Sequence, residues 1–232
     1  MKPLGHKAYG SIPHFDGSRM GPADKHCNEG HQRIMTQKAR DWHDLIIVQE
    51  KVDGSNCSVA NIDGVIYALT RSGYKAITSP FEQHHYFDRY VYKYVDLFRR
   101  IIYPGERIVG EWLLQAHGTR YNLPHGPFVA FDIMKEHDRM PYIEFIKRIG
   151  DSFPTPRLIH IGQPMKLRHA VDAIKSSGHG AVDQVEGVVY RCEREGVVDF
   201  LCKWVRPDKK DGIYLPEVSG KDAVWNYDIN LI

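Results

Sequence analysis

Strand-like runs separated by two-residue turns constrain the fold of this chain more than any other feature. Short runs rich in apolar and β-branched residues cover positions 45–48, 57–62, 65–70, 107–112, 128–134, 187–191 and 197–205. Asp63-Gly64 and Glu195-Gly196 each separate two successive runs. A two-residue turn of this type joins antiparallel neighbours and predicts a β-hairpin. We therefore expect mainly antiparallel sheets.

Helical periodicity occurs between these strands. Apolar residues recur at helical spacing over 86–102, a shorter helix is predicted over 141–149 after a proline, and another over 170–175. The alternation of strands and helices is too irregular for a doubly wound parallel sheet. The pattern predicts an α+β fold with antiparallel sheets flanked by helices. Without repeats or a low-complexity linker, we expect one domain over 1–232, with 1–44 as its loop-rich N-terminal segment.

Composition excludes several classes of protein. The formal net charge is only +2, so any nucleic-acid surface must be a local patch of basic residues. No stretch approaches the ~20 apolar residues that a membrane span requires, and the N-terminus has no apolar leader. The four cysteines are scattered and form no Cys-x-x-Cys pair. We expect a cytoplasmic protein with no membrane partner and no obligate protein partner.

The segment 50–56, Glu-Lys-Val-Asp-Gly-Ser-Asn, carries the clearest chemical signal. Its lysine, Lys51, follows an apolar strand, where desolvation and neighbouring cations would lower its pKa and free the amine to act as a nucleophile. Gly54 would let the backbone approach a ligand closely. Taken alone, the segment also fits a surface lysine beside an Asp-Gly turn.

Further polar residues follow this lysine at strand ends along the chain. In order these are Arg71-Ser72-Gly73, Gly110-Glu111, Phe131-Asp132-Ile133, Glu186-Gly187-Val188-Val189 and the basic strand that contains Lys203. This ordered series resembles the motif set of covalent nucleotidyltransferases, which comprise ATP-dependent DNA and RNA ligases and mRNA capping enzymes. The resemblance extends from about residue 50 to residue 206, and the N-terminal segment 9–19 resembles that of RNA ligases. It implies an ATP-grasp-like ligase adenylation domain.

The resemblance implies a role for each residue of an ATP site. Lys51 would become linked to AMP through its amine, and the backbone of Glu50 would contact adenine. Phe131 would stack on the adenine ring. Arg71 and Glu111 would hold the ribose hydroxyls, a contact that a buried carboxylate makes selective.

The remaining residues of the motif set would handle the phosphates. Glu186 would serve a divalent metal, Mg²⁺ or Mn²⁺, which is expected with ATP and needs few protein carboxylates. Lys203 would neutralise the α-phosphate. The other residues implied to bind ATP lie in the lysine segment itself: Asp53, Gly54 and Asn56.

Four basic residues are candidates for contacts with nucleic-acid phosphates. They are Arg19, Lys25, Arg120 and Arg206. Arg19 and Lys25 equally fit an ordinary solvated loop. Arg120 follows Glu111 closely enough to line the same cleft.

The sequence departs from the family pattern in two places. Many nick-sealing RNA ligases have Lys-x-Lys in the last motif, but here Leu201 occupies the first of those positions and only Lys203 remains. The tail that follows, 207–232, is too short to form the OB domain of cellular DNA ligases and capping enzymes. The resemblance thus implies a minimal catalytic domain.

These residues together predict an ATP-dependent RNA ligase that joins 5′-phosphate and 3′-hydroxyl ends, including those of a nicked duplex. Lys51 would take AMP from ATP, pass it to the 5′-phosphate, and the 3′-hydroxyl would then displace it. Three alternatives stay open: a minimal DNA ligase, a GTP-using capping enzyme, and a non-catalytic relative that binds nucleotide or nucleic acid.

Overall fold

The strands form two antiparallel sheets in the computed structural model, which describes residues 1–232. The strands are β1 (Asp44–Lys51), β2 (Ser55–Ile62), β3 (Val65–Thr70), β4 (Glu106–Trp112), β5 (Phe128–Lys135), β6 (Asp138–Arg139), β7 (Leu158–Gly162), β8 (Gly187–Arg194) and β9 (Val197–Val205). One sheet has the order β7-β1-β8-β9 and the other β3-β2-β4-β5-β6. The predicted α+β class with antiparallel sheets is confirmed.

Six α-helices pack around these sheets. They are α1 (Glu29–Thr36), α2 (Glu82–Lys93), α3 (Val95–Ile101), α4 (Tyr142–Ile149), α5 (Leu167–Ala173) and α6 (Pro216–Ser219). The larger core of 22 buried residues joins the five-stranded sheet to α2, α3 and α4. A second core of 12 buried residues joins the four-stranded sheet to α1 and α5. With these faces covered by helices, the opposite faces of the two sheets meet in a cleft between them.

Both predicted hairpins are confirmed. Asp63 and Gly64 have positive φ values of 51° and 82°, and Glu195 and Gly196 have values of 51° and 78°. Two consecutive residues with positive φ give the turn whose twist matches that of paired strands. The antiparallel pairs β2–β3 and β8–β9 follow directly from these turns.

Two helix predictions differ from the structure. The helix expected over 86–102 is two helices, α2 and α3, because Tyr94 leaves helical geometry with φ −110° and ψ 25°. Apolar spacing continues through this break, so periodicity could not reveal it. α1 lies within the segment expected to be loop-rich; it is mostly polar and buries only Met35, so its apolar signal was weak.

Two other features of the chain bear on its organisation. Cys27 and Cys202 form a disulfide across 175 residues of sequence, a pairing that the scattered cysteines did not predict. Beyond β9, residues 206–232 form α6 and the short 3₁₀ helix Ile229–Leu231 and build no barrel. None of the helices combines the length and apolar character needed to cross a bilayer.

Candidate active site

Lys51 is the last residue of β1, and its side chain enters the cleft between the sheets. The Lys51 ammonium donates a hydrogen bond of 2.6 Å to Glu186 Oε2. Both side chains are largely buried, with exposed fractions of 20% and 9%. Strand register brings them together, because Lys51 lies opposite Gly187, the residue after Glu186.

Gly187 has a steric reason to follow Glu186. A Cβ atom at this position would lie 1.9 Å from the carbonyl oxygen of Trp204 on the neighbouring strand β9. Only glycine permits the close approach of the two strands here. The glycine of the Glu-Gly motif thus fixes where β8 begins and, with it, the position of the Glu186 carboxylate.

Glu111 enters the same cleft from the five-stranded sheet. It lies opposite Asn56 in the pairing of β2 with β4, and its Oε1 accepts a hydrogen bond of 3.2 Å from the Gly54 amide. A Cβ atom on Gly54 would lie 2.5 Å from the carbonyl oxygen of Trp112. The Asp-Gly turn after Lys51 is therefore tight against β4, which brings the lysine segment and Glu111 together.

The charge around Lys51 differs from the expectation. Burial disfavours its ammonium, but the carboxylates of Glu186, Glu111 and Asp53 outweigh burial and raise the pKa of Lys51 above its usual value. The prediction that neighbouring cations lower the pKa of Lys51 is therefore wrong. Burial also raises the pKa of Glu111 to about 7, despite the opposing effect of Lys51. The protonation of Lys51 and that of the carboxylates around it therefore depend on one another.

The structure brings together all the residues that the sequence assigned to ATP. One cavity is lined by Glu50, Lys51, Asn56, Arg71, Glu111, Phe131 and Lys203. An adjoining cavity shares Lys51, Asn56, Arg71 and Glu111 and adds Asp53, Gly54 and Glu186. The first has apolar walls that suit a base, and the second is almost entirely polar, which suits phosphates and a polynucleotide end.

Glu50 lines the cavity, but its side chain is used elsewhere. Its carboxylate accepts hydrogen bonds of 2.5 Å from the Ser177 hydroxyl and 2.7 Å from the Gly178 amide. Successive side chains of a strand point to opposite faces, so Glu50 points away while Lys51 points into the cleft. This leaves only the backbone of Glu50 for a contact with adenine.

Leu201 and Lys203 both line the first cavity. This is expected because residues two apart on a strand point to the same face. The N-terminal segment holds this strand, since the Lys203 amide donates to Pro13 O at 2.9 Å and the Phe15 amide donates to Lys203 O at 2.9 Å. Asp24 Oδ1 lies 3.9 Å from the Lys203 ammonium. Burial, followed by repulsion from Lys51, lowers the pKa of Lys203.

A buried ionic group on the cavity wall was missed by sequence reasoning. Asp132 is fully buried, binds the guanidinium of Arg191 and accepts a hydrogen bond of 2.8 Å from the Tyr9 hydroxyl. Arg191 lies opposite Leu201 in the β8–β9 register. A guanidinium therefore stands beside Leu201, the position at which the motif resemblance implied a lysine. The Phe131-Asp132 pair was the available signal.

The four cations assigned to nucleic acid lie outside both cavities. Arg120 forms hydrogen bonds of 2.9 Å and 3.0 Å with Asp183, and Arg206 pairs with Asp208 at 2.7 Å. Arg19 pairs with Asp211. Lys25 is exposed at the surface. Their assignment to nucleic acid stays a prediction. To bind a nucleic-acid phosphate, each of the three arginines would have to release its carboxylate partner.

The Glu186 carboxylate fits a divalent cation that is also bound by substrate phosphates. No group of three or more metal-binding side chains occurs in the chain. Mg²⁺ usually keeps several waters and takes one or two carboxylates together with substrate phosphates, so a preformed cage is unnecessary. Glu186 supplies a buried carboxylate at the polar cavity, 2.6 Å from the Lys51 ammonium.

The fold and the site define an α+β domain of two antiparallel sheets with a largely buried lysine in the cleft between them. The family model for RNA ligases matches residues 44–205. The chain belongs to the RNA ligase family. A search of curated proteins found no match.

Solved structures share this fold at low sequence identity. A putative ATP-dependent DNA ligase from Aquifex aeolicus is 18% identical with a TM-score of 0.52, and the match covers 85% of this chain and 49% of that one. An archaeal ATP-dependent RNA ligase is 20% identical with a TM-score of 0.52, covering 85% and 48%. A variant of the Naegleria gruberi RNA ligase, solved with ATP and Mn, is 17% identical with a TM-score of 0.50, covering 88% and 62%.

This chain spans about half the length of the first two of these structures. At these identities the likeness concerns the fold alone.

Proposed function

We propose that this protein is an ATP-dependent RNA ligase that joins 5′-phosphate and 3′-hydroxyl ends through a lysyl-AMP intermediate. The observation that carries the proposal is the meeting of Lys51, Glu186, Glu111 and Lys203 in one buried cleft. These residues come from both sheets and from strands separated by as many as 152 positions along the chain. ATP and Mn in the Naegleria gruberi ligase structure add support for the nucleotide and for a divalent metal.

In the first step, ATP binds with adenine in the apolar cavity and its phosphates toward Lys203. Phe131, Glu111 and Arg71 line one cavity. Phe131 would stack on the base, and Glu111 and Arg71 would hold the ribose. The Lys51 ammonium must lose a proton before it can attack, and Glu186 is the acceptor at 2.6 Å. The amine then forms a bond with the α-phosphorus while the bond to pyrophosphate breaks. A divalent metal held by Glu186 would stabilise charge on the phosphates.

In the later steps, AMP moves from Lys51 to the 5′-phosphate of the polynucleotide, and a 3′-hydroxyl displaces it. The polar cavity beside Lys51 supports this proposal because it continues from the nucleotide site and contains Ser55, His84 and His117. A bound strand end could therefore reach the AMP without passing through the adenine cavity.

A panel of substrates tests the proposed function. The protein would be incubated with ATP and Mg²⁺ or Mn²⁺ and with nicked or single-stranded RNA, the matching DNA, or a capping substrate with GTP. Sealing of RNA with transient lysyl-AMP is the expected result. Preferential sealing of DNA would favour a minimal DNA ligase, use of GTP a capping enzyme, and absence of any adduct a non-catalytic nucleotide-binding relative.

Glu111→Ala is expected to narrow the preference for ATP over 2′-deoxy-ATP. Glu111 provides the carboxylate for a ribose hydroxyl, and a site built to bind a hydroxyl discriminates against ligands that lack it. The measurement is the rate of adenylylation with each nucleotide. Glu144→Ala, at an exposed carboxylate on α4, is the control. Unchanged discrimination would remove Glu111 from the ribose role.

Glu186→Ala is expected to lower the rate of adenylylation by about 10²-fold or more at every magnesium concentration. The change removes both the partner of Lys51 and the carboxylate proposed to hold the metal. Glu186→Gln preserves size and separates loss of charge from loss of packing. Recovery of full activity at high magnesium would show that Glu186 contributes metal affinity alone.

A further inference from the structure

A chain of hydrogen bonds reaches the polar cavity through His84. This side chain is buried, with 8% of the residue exposed, and both of its ring nitrogens have a partner. Nδ1 lies 2.6 Å from the Ser79 hydroxyl, and Nε2 lies 2.7 Å from the Ser55 hydroxyl. Ser55 and His84 line the polar cavity, whereas Ser79 does not. The chain of bonds therefore ends at the cavity wall, on the hydroxyl of Ser55.

Strand pairing explains why Ser55 and His84 meet. Ser55 begins β2 and lies opposite Trp112 in the pairing of β2 with β4. The Trp112 indole donates a hydrogen bond of 2.9 Å to Gln83 O, in the first turn of α2. Because His84 follows Gln83, this bond fixes the first turn of α2 beside β4 and places the imidazole next to Ser55.

The partners of Ser79 set the direction of the chain of hydrogen bonds. Burial, followed by repulsion from other histidines, lowers the pKa of His84 to about 4, so the ring is neutral near pH 7 and has one N–H group. The Ser79 hydroxyl accepts a hydrogen bond of 3.3 Å from the Phe81 amide. Its own proton needs an acceptor, and Nδ1 is that acceptor at 2.6 Å. The imidazole proton is then on Nε2, which donates it to Ser55.

A Ser55 oxygen that accepts from Nε2 keeps its own proton for donation, because a hydroxyl has one donor and two acceptor positions. Within the protein this proton is directed to Cys57. Burial raises the pKa of the Cys57 thiol, and hydrogen bonding from Ser55 opposes that rise. Sulfur is a weak acceptor, so an oxygen anion in the cavity would take the proton in its place.

The charges on the cavity wall favour a phosphate as that anion. Lys7 and Arg71 line the cavity and form no salt bridge; the guanidinium of Arg71 donates only to the neutral oxygens of Gly10 and Ser11. Two of the three carboxylates in the cavity are already paired with lysines: Asp53 with Lys209, and Glu186 with Lys51. Cations and an oriented hydroxyl together suit phosphate oxygens.

We propose that Ser55, oriented by His84, donates a hydrogen bond to a phosphate oxygen in the polar cavity. Ser55 would contact the phosphate, and His84 is a positioning residue that acts through Ser55. The proposed function enters only in the origin of the phosphate, which is either the 5′-phosphate end of the polynucleotide or the pyrophosphate portion of ATP. Separate probes distinguish these two sources.

The direction of the chain of hydrogen bonds can be observed without any ligand. Nuclear magnetic resonance of isotope-labelled histidine side chains reports which ring nitrogen carries the proton, and the signals of His84 are identified by their loss in His84→Gln. If that variant does not fold, Ser79→Ala identifies them by their shift. The proton is expected on Nε2. A proton on Nδ1 would overturn the proposal, because Ser55 would then donate to the ring and have no proton left for a phosphate.

Binding of phosphate is measured with two probes. One is a nicked RNA duplex with a 5′-phosphate at the nick, compared with the same duplex ending in a 5′-hydroxyl, and the other is inorganic pyrophosphate with Mg²⁺. Ser55→Ala is expected to weaken binding of one probe about tenfold, the effect of losing one hydrogen bond to a charged group. A lost preference for the 5′-phosphate would identify the strand end, and weaker binding of pyrophosphate would identify ATP. Unchanged binding of both probes by folded Ser55→Ala would refute the proposal.

Matched variants separate this contact from a structural role. Ser55→Thr retains the hydroxyl and is expected to bind both probes as the unaltered protein does. His84→Gln retains an amide donor for Ser55 and should keep most of the binding, whereas His84→Phe removes the donor and should lose several-fold. Ser152→Ala, at an exposed serine, is the control. Full binding by folded His84→Phe would exclude the positioning role, and a loss in Ser55→Ala that Ser55→Thr shares would show a structural role instead.

Adenylylation with labelled ATP separates this proposal from the proposed function. A protein that loses phosphate binding in Ser55→Ala but never forms an adduct would contradict the ligase proposal and leave the role of Ser55 intact. An active ligase whose Ser55→Ala variant binds both probes normally would contradict the role of Ser55 alone.

Discussion

Replacement of Lys51 by alanine is expected to abolish covalent labelling by α-labelled ATP. Lys51 is the amine at the junction of the two cavities, where it pairs with Glu186 at 2.6 Å. Without it no nucleophile remains at the position of the α-phosphate. The measurement is protein-bound label after denaturation, with acid lability as the signature of a phosphoramidate and peptide mass spectrometry to locate the AMP.

Two controls separate lost chemistry from lost structure in this experiment. Lys51→Arg retains a cation beside Glu186, but a guanidinium is not deprotonated in proteins, so labelling should remain absent while the fold is kept. Lys221→Ala removes an exposed lysine and should label normally. Normal labelling of Lys51→Ala, with AMP located on another lysine, would contradict the central proposal.

The sequence predicted the candidate site best where its residues belong to motifs that follow one another in a fixed order along the chain. The motif residues follow one another at strand ends, and adjacent antiparallel strands bring such ends together. Lys51 therefore meets Glu186 through the β1–β8 register, and Asn56 meets Glu111 through the β2–β4 register. The two hairpins could also be predicted from the sequence, because each turn contains a glycine, Gly64 or Gly196, which readily adopts positive φ.

Pairings between distant residues could not be predicted in the same way. Lys209 is 156 positions from Asp53, and Arg191 is 59 positions from Asp132. Nothing local in the sequence indicates which distant residue each of these charges will pair with. The same limitation explains the error over the pKa of Lys51, because its sign depends on which charges the two sheets place around the amine.

The missing motif lysine changes what is expected of Lys203. Leu201 lines the cavity at the position where many RNA ligases have a second cation, and Arg191 opposite it is bound to Asp132. Lys203 is then the strand cation available to the phosphates. Its ion-pair partner is Asp24, at 3.9 Å, so an incoming phosphate would not have to displace a close ion pair.

Lys203→Ala is accordingly expected to reduce the rate of adenylylation nearly as much as Lys51→Ala. Charge that develops on the α-phosphate would lose the cation proposed to neutralise it, and loss of such an interaction costs on the order of 10²-fold or more. The measurement is the single-turnover rate of adduct formation alongside a thermal melt. Arg206→Ala is the comparison, because Arg206 lies outside the nucleotide cavity and pairs with Asp208.

Leu201→Lys provides the reciprocal test of the same strand. Because Leu201 lines the cavity, a lysine there can extend into the cleft, and the variant is expected to fold despite the nearby guanidinium of Arg191. A second cation at this position should raise the rate of the Lys203→Ala variant in the double mutant.

A folded and fully active Lys203→Ala would instead show that the motif alignment is wrong at this strand. Loss of activity in Arg206→Ala alone would transfer the phosphate role to Arg206.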